Sequence, residues 1–201
     1  AFAVASVMNC EGKELAVRYF KGGKEYTHRC SKVLEKVDKS RKSRGENAGG
    51  RVNQKYWMHL KHLGEQYAHQ VSLDIVTFCK EQDVSMIAFP KYDEEYRRHV
   101  LKGAGNFGTL HLSTRIREYL TYKAWKEGIL VLDVNAKEMH RICAVCGSEI
   151  AQQDKQSKRF VCEKGHQGDA YLNVARNVAK RCMEQFRKKA GKEKNVSAKK
   201  S

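Results

Sequence analysis

The sequence contains no apolar run that approaches the roughly 20 residues needed to cross a bilayer. It also lacks the basic segment that precedes the apolar core of a signal peptide, because apolar residues follow Ala1 directly. Acidic residues are few: 23 Asp and Glu stand against 39 Lys and Arg, which gives a net charge of +16. We therefore expect a cytoplasmic protein without a membrane segment, whose natural partner is a polyanion such as RNA or DNA.

The cysteines do not fit a disulfide framework, because seven is an odd number. Four of them are scattered along the chain: Cys10, Cys30, Cys79 and Cys182. The other three, Cys143, Cys146 and Cys162, have the spacing of metal ligands. This usage is typical of a reducing compartment.

Hydrophobic patterning in the first part of the chain predicts a hairpin, made of a buried strand over residues 1–8 and a second arm over 13–20. Residues 31–51 are dense in Lys and Arg and end in two glycines, which predicts a helix start followed by a basic, mobile loop. The spacing of apolar residues over 53–80 predicts a long amphipathic helix.

Strands and helices alternate in the remainder, which favours a mixed α/β sheet covered by helices. The predicted elements are a strand over 84–89 that Pro90 ends, a surface loop over 91–108, a helix over 109–127 that Gly128 ends, and a strand over 129–134. A metal-stapled segment over 140–168, a closing helix over 169–187 and a basic disordered tail over 188–201 follow. Residues 1–139 would form the core of the domain.

The pair Cys143 and Cys146, followed by Gly147, has the form of a zinc knuckle. A second knuckle is expected about fifteen residues later, where Cys162 supplies one thiolate and His166 the remaining ligand. We predict a structural zinc ion on Cys143, Cys146, Cys162 and His166, with His140 as a less favoured substitute. The alternative is a vestigial ribbon that binds no metal.

These knuckles, together with the segment from Asp169 to Asn177, resemble the zinc ribbon and final catalytic motif of the RuvC nuclease domain in the TnpB and type V CRISPR effector family. Residues 118–124 with Gly128-Ile129 resemble the helix before the last strand of that domain. Residues 71–76 and 84–89 resemble the helix and strand that lead to its second catalytic motif. The resemblance implies an RNase H-like mixed sheet flanked by helices, with an inserted zinc ribbon and with the first strand missing from this chain.

The family holds catalytic magnesium with an Asp, a Glu and a second Asp. In this sequence Pro90 and its neighbours replace the Glu, and Tyr171 stands where the last Asp belongs. A tyrosine cannot replace a carboxylate on a hard cation, so we expect no magnesium and no cleavage. Two possibilities stay open: Asp93, Glu94, Glu95 or Asp169 could rebuild the site, or Asp169 could cap the closing helix.

The resemblance implies an RNA-guided DNA-binding protein, or its RuvC portion, in a prokaryotic cytosol or nucleoid. It would resemble repressors derived from TnpB or inactivated effectors that recruit transposition machinery, with guide RNA, target DNA and an N-terminal companion segment or chain as partners. The alternatives are an active RNA-guided endonuclease and a zinc-ribbon nucleic-acid-binding protein without a guide.

Basic side chains in two regions are the candidates for phosphate contacts: Lys32, Lys36, Lys39, Arg41, Lys42, Arg44, Arg97, Arg98, Arg115, Arg117 and Lys123. Tyr122 and Trp125 could stack on bases, but we expect both to pack in the core.

Overall fold

The structure, a computed structural model, describes residues 3–44, 53–94, 98, 112–154 and 156–197, and among these the side chains of all except Arg44 and residues 189–197. The strands are β1 (Ala3–Met8), β2 (Glu14–Phe20), β3 (Met86–Lys91), β4 (Leu130–Asn135), β5 (Ile150–Gln153), β6 (Arg159–Cys162) and β7 (Gln167–Asp169). The helices are α1 (Gly23–Arg44), α2 (Gln54–Glu81), α3 (Ser113–Lys126) and α4 (Ala170–Ser197).

The chain forms two compact units. The first contains Ala1–Ala3, Tyr19–Phe78 and Glu95–Gly128, and the second contains Val4–Arg18, Cys79–Glu94 and Ile129–Ser201. Among the described residues, no helix is both long and apolar enough to cross a membrane.

The first unit is built from α1, most of α2 and α3. Apolar side chains recur at helical spacing on each of these helices and are buried, as with Leu60 and Leu63 on α2 and Leu120 and Ala124 on α3. At Gly64, α2 approaches the start of α3 so closely that an added Cβ would lie 3.1 Å from Leu112 Cδ2. The predicted positions of α2 and α3 are therefore confirmed.

The basic segment after Ser31 is helical through Arg44, so the prediction of a loop there was wrong up to that residue. Tyr26, Cys30, Val33 and Val37 recur at spacings of four, three and four, and all four are buried. This narrow apolar stripe buries one face of α1, while the lysines and arginines occupy the others. Residues 45–52 lie outside the described residues.

The second unit contains most of the β1–β2 hairpin, the parallel pair of β3 and β4, and α4. Val134 and Met139 form a buried cluster with Val178 and Cys182 of α4, and Met86 and Ala88 of β3 pack against it. The parallel pair is thus covered on one face by the closing helix.

Pro90 does not end β3, which continues to Lys91 with Pro90 in register with Val134. Proline cannot donate a ladder hydrogen bond, and it is tolerated where a strand has a free edge. In the described part of the chain β3 pairs only with β4, so its other edge can accommodate Pro90.

The strands form three separate sheets in the described part of the chain: β1–β2, β3–β4 and β5–β6–β7. The expected combination of strands and helices is present, whereas one mixed sheet that joins the hairpin to the parallel pair is not seen among these residues. Most of the predicted surface loop over 91–108 lies outside the described residues.

Helix α4 continues to Ser197, whereas the sequence predicted an end near residue 187 and a disordered tail over 188–201. Residues 188–197 include four lysines, one glutamate and one alanine, all strong helix formers, so the charge that suggested disorder is compatible with a helix. Residues 198–201 lie outside the described residues.

Candidate metal centre and catalytic positions

The first knuckle (residues 143–148) is a tight turn closed by backbone hydrogen bonds. The Gly147 N–H donates to the Cys143 carbonyl at 2.9 Å, and the Cys143 N–H donates to the Ser148 carbonyl at 2.9 Å. Gly147 has a φ of 75°, a left-handed conformation that glycine adopts without strain. The turn therefore directs the Cys143 and Cys146 side chains to the same side.

The second knuckle (residues 162–166) repeats this arrangement between β6 and β7. The Gly165 N–H donates to the Cys162 carbonyl and the Cys162 N–H donates to the His166 carbonyl, each at 2.9 Å. Gly165 has a φ of 82°. Both halves of the predicted ribbon are thus present, although the second carries one Cys and one His in place of two cysteines.

The structure brings Cys143, Cys146, Cys162 and His166 together, with one ligand atom from each within 4.8 Å of the others. The sulfurs of Cys146 and Cys162 are 3.7 Å apart, and Cys162 Sγ lies 3.5 Å from His166 Nδ1. A tetrahedral zinc ion about 2.3 Å from sulfur and about 2.0 Å from nitrogen separates two sulfurs by roughly 3.8 Å and a sulfur from a nitrogen by roughly 3.5 Å. The four side chains therefore fit a zinc ion, and His140 is not part of the cluster.

Three thiols and an imidazole at this separation influence one another's ionisation. Burial opposes ionisation of Cys162, but hydrogen bonds from Ser148, His166 and the backbone outweigh it and lower the pKa of the Cys162 thiol to about 6. The hydrogen bond from Ser148 lowers the pKa of Cys146, whereas burial raises the pKa of Cys143. Because zinc binds thiolates, a readily ionised Cys162 favours metal uptake near neutral pH.

Two asparagines of α4 hold the first knuckle against the helix. Asn173 Oδ1 accepts a hydrogen bond from the Ala144 N–H at 2.7 Å, and Asn173 Nδ2 donates to the Ile142 carbonyl at 2.7 Å. Asn177 Nδ2 donates to the carbonyls of Met139 and Ile142 at 2.9 and 2.8 Å. The sequence pointed to these residues only as part of a family motif, and their contribution to the ribbon was missed.

A partly buried ion pair in the second unit was also missed. Arg176 Nε and Nη2 donate to Glu14 Oε1 and Oε2 at 2.8 and 2.5 Å, and the Ser6 hydroxyl donates to the same carboxylate at 2.6 Å. The hydrogen bond from Arg176 lowers the pKa of the Glu14 carboxyl. This bidentate pair connects the hairpin to α4 across 162 residues of sequence, a separation that no local pattern reveals.

At the expected catalytic positions, Asp169 caps α4. Its Oδ1 accepts a hydrogen bond from the Leu172 N–H at 2.9 Å, three residues into the helix, as an N-cap carboxylate does. Tyr171 is in the first turn of α4 with its side chain half exposed, and Pro90 lies within β3. Glu95 lies outside the described residues, whereas Asp93 and Glu94 are exposed just beyond β3.

The basic side chains that were predicted to contact phosphates, as far as the structure describes them, all lie in the first unit. Lys32, Lys36, Lys39, Arg41 and Lys42 are exposed on α1, Arg98 is exposed, and Arg115 and Arg117 are partly buried on α3. Arg97 and the side chain of Arg44 lie outside the described residues.

The other α3 candidates differ from expectation. Lys123 Nζ donates to the His69 carbonyl and to Ser72 Oγ at 2.6 and 2.7 Å, so this ammonium ties α3 to α2. Core packing was the wrong expectation for Tyr122 and Trp125, whose exposed fractions are 42% and 80%. Both point outward because Ile116, Leu120 and Ala124 form the buried face of α3.

Comparison with known proteins agrees with this architecture. Residues 114–178 match the family model described as "Cas12f1-like, TNB domain". Among curated proteins, none matches the sequence. The fold is similar to that of a chain in the cryo-EM structure of the Cas12f1-sgRNA-target DNA complex, with a TM-score of 0.63 and 12% sequence identity over 88% of this chain. The chain spans 49% of that Cas12f1 chain. These matches, together with the two knuckles and their attachment to α4, identify a domain related to the TnpB and type V effector family in this chain.

Proposed function

We propose that this chain is an RNA-guided DNA-binding protein, or the RuvC portion of one, that holds its target without cutting it. The fold likeness to Cas12f1, determined in a complex with sgRNA and target DNA, supports guide RNA and target DNA as partners. In such complexes base pairing selects the target, while the protein binds the sugar-phosphate backbone and recognises the shape of the duplex.

The positive charge on α1 suits binding to a phosphate backbone. Lys32, Lys36 and Lys39 are exposed and are spaced by four and three residues, which places them on one face of the helix. Lys32 also has an acidic neighbour, with Nζ 3.2 Å from Glu35 Oε2. A row of lysines on a helix neutralises successive phosphates without reading sequence.

The observation that carries the absence of cleavage is the pairing of Asp169 with the backbone of its own helix. Its Oδ1 accepts a hydrogen bond from the Leu172 N–H as an N-cap does, and the exposed Tyr171 offers a phenol at the position where the resemblance places an Asp in the family. By the same resemblance, Pro90 of β3 stands where the family has its Glu. Two-metal hydrolysis needs several carboxylates around two ions, which these residues do not supply.

The zinc ribbon has a structural part in this proposal. Cys143, Cys146, Cys162 and His166 fill all four positions of a tetrahedral ion, so none is left open for a substrate or a reactive water. Bound zinc would join the two knuckles, and Asn173 and Asn177 would transmit that rigidity to α4. We further infer that β1–β4 and α4 correspond to parts of an RNase H-like core.

The test combines the protein, the small RNAs that co-purify with it and a labelled DNA duplex complementary to their variable part, with and without Mg²⁺. We expect guide-dependent binding that is unchanged by Mg²⁺, and no cleavage. Asp169→Asn is the matched control, because asparagine also caps a helix but removes the negative charge.

Mg²⁺-dependent cleavage that Asp169→Asn abolishes would overturn the proposed inactivity and establish an active RNA-guided endonuclease. DNA binding of equal strength with and without a complementary RNA would instead favour a zinc-ribbon protein that uses no guide.

A further inference from the structure

Three aromatic side chains follow one another along α3, and we name them the aromatic platform: Tyr119, Tyr122 and Trp125. They are spaced by three residues, so successive rings rise by about 4.5 Å along the helix axis. Tyr122 is 42% exposed and Trp125 is 80% exposed. An exposed tryptophan contributes almost nothing to a core, so the Trp125 ring and the exposed part of Tyr122 are available for a partner.

One end of the platform is held in place by α2. The Tyr119 ring stacks on His69 with centroids 3.8 Å apart and planes 11° from parallel, and the Tyr122 ring meets Tyr119 edge-on at 6.3 Å. Lys123 fastens the same pair of helices through the His69 carbonyl and Ser72 Oγ. Rings that are already ordered lose little freedom when a ligand stacks on them.

Positive charge lies beside the rings. Lys123 Nζ is 6.0 Å from the centroid of Tyr119 and 5.9 Å from that of Tyr122, and Lys126 Nζ is 5.7 Å from that of Tyr122. Glu118 of α3 and Glu127, which directly follows the helix, are also exposed, so the local charge is mixed. The ligand that fits this surface has a flat π face beside an anionic group, and an unpaired nucleotide has both.

We propose that the aromatic platform binds unpaired nucleotides, with at least one base stacked on Trp125. The proposal rests on the proposed function for its polyanionic partner and deepens it by naming the single-stranded part of that partner. Stacking tolerates any base, so the site would hold a strand without reading its sequence.

Tryptophan emission reports the contact directly, because the sequence contains only Trp57 and Trp125. Trp57→Phe leaves Trp125 as the sole tryptophan, and Trp125→Phe is the matched variant that retains Trp57. The probes are oligo(dT), oligo(rU) and an abasic deoxyribose-phosphate strand, each of about twelve nucleotides. We expect oligo(dT) or oligo(rU) to quench the emission of Trp57→Phe and not that of Trp125→Phe. The abasic strand should quench the emission of neither variant. Comparing oligo(dT) with oligo(rU) distinguishes binding of DNA from binding of RNA.

Trp125→Ala is expected to weaken oligonucleotide binding roughly tenfold, within the range for loss of one stacking ring. Leu15→Ala, which shortens a comparably exposed apolar side chain on β2, should leave the affinity unchanged. Unchanged Trp125 emission at saturation, with binding verified by anisotropy, would overturn the site, as would equal quenching by the abasic strand. Loss of guided target binding with quenching retained would overturn the proposed function alone.

Discussion

Asn173 holds Ala144 of the first knuckle against the closing helix, through a hydrogen bond of 2.7 Å from the Ala144 N–H to Asn173 Oδ1. The Asn173 side chain is only 2% exposed, so water cannot replace it in this contact. We expect Asn173→Ala to destabilise the protein by about 3 kcal/mol, because it leaves a buried N–H and the Ile142 carbonyl without this partner. Urea unfolding in excess zinc measures the change.

Asn177→Ala is the comparison for that substitution. It removes a donor to the Met139 and Ile142 carbonyls but leaves the Ala144 N–H with its acceptor, and Asn177 is only partly buried, so its cost should be smaller. Equal stability of the wild type and Asn173→Ala would contradict a tie between knuckle and helix.

Zinc retention distinguishes the two candidate histidines. His166→Ala removes the Nδ1 that lies 3.5 Å from Cys162 Sγ, and we expect zinc to pass to a competing chelator at least tenfold faster. His140→Ala removes a histidine outside the cluster and should leave the exchange rate unchanged. Metal content and exchange are followed with a chromophoric chelator, and identical rates for His166→Ala and the wild type would exclude His166 as a ligand.

The Glu14–Arg176 pair predicts an acid-dependent contribution to stability. Arg176 lowers the pKa of Glu14 below its ordinary value of 4.5 in the folded protein, so the pair contributes fully above that value. The contribution is lost as the pH falls through the lower folded pKa. We expect the stability difference between wild type and Glu14→Gln to be largest near neutrality and to shrink as the pH falls below 4.5.

Acid also protonates the zinc ligands, and this affects the wild type and Glu14→Gln alike. The difference in unfolding free energy between the two proteins removes that common effect. Urea unfolding of each protein across the pH range gives that difference. Glu11→Gln, an exposed glutamate in the same hairpin, serves as the control. A stability difference for Glu14→Gln that is constant with pH would argue against the ion pair.

The cap at Asp169 predicts a contrast between two substitutions. Asp169→Ala should cost about 1 kcal/mol, the usual effect of removing an N-cap, whereas Asp169→Asn should cost only a few tenths. Thermal unfolding of the three proteins provides the comparison. If Asp169→Ala were as mild as Asp169→Asn, the carboxylate would contribute nothing to stability as a cap.

The parts that the sequence predicts correctly depend on short-range signals. The spacing of Cys143 and Cys146 and the glycines after each knuckle locate the ribbon, and the acceptor three residues before Leu172 locates the start of α4. The sequence predicts only the start of a helix within α1 and a loop for the rest, because four buried positions among many lysines carry the helical period.

The remaining features depend on contacts between distant residues. The pairing of β3 with β4, the reach of Asn173 to Ala144 and the pair Glu14–Arg176 each join segments that lie far apart in sequence. Tyr122 and Trp125 illustrate the same limit, since helical period alone does not say which side of α3 packs on α2.

Helix α4 is the shared support for the hairpin, the parallel pair and the first knuckle of the second unit. It follows all three in the chain, so during synthesis each of them leaves the ribosome before its common anchor exists. A nascent chain arrested before residue 170 would expose the apolar face of β3 and β4 and would lack the side chains that secure the ribbon. The second unit can therefore complete its fold only after α4 has emerged from the ribosome.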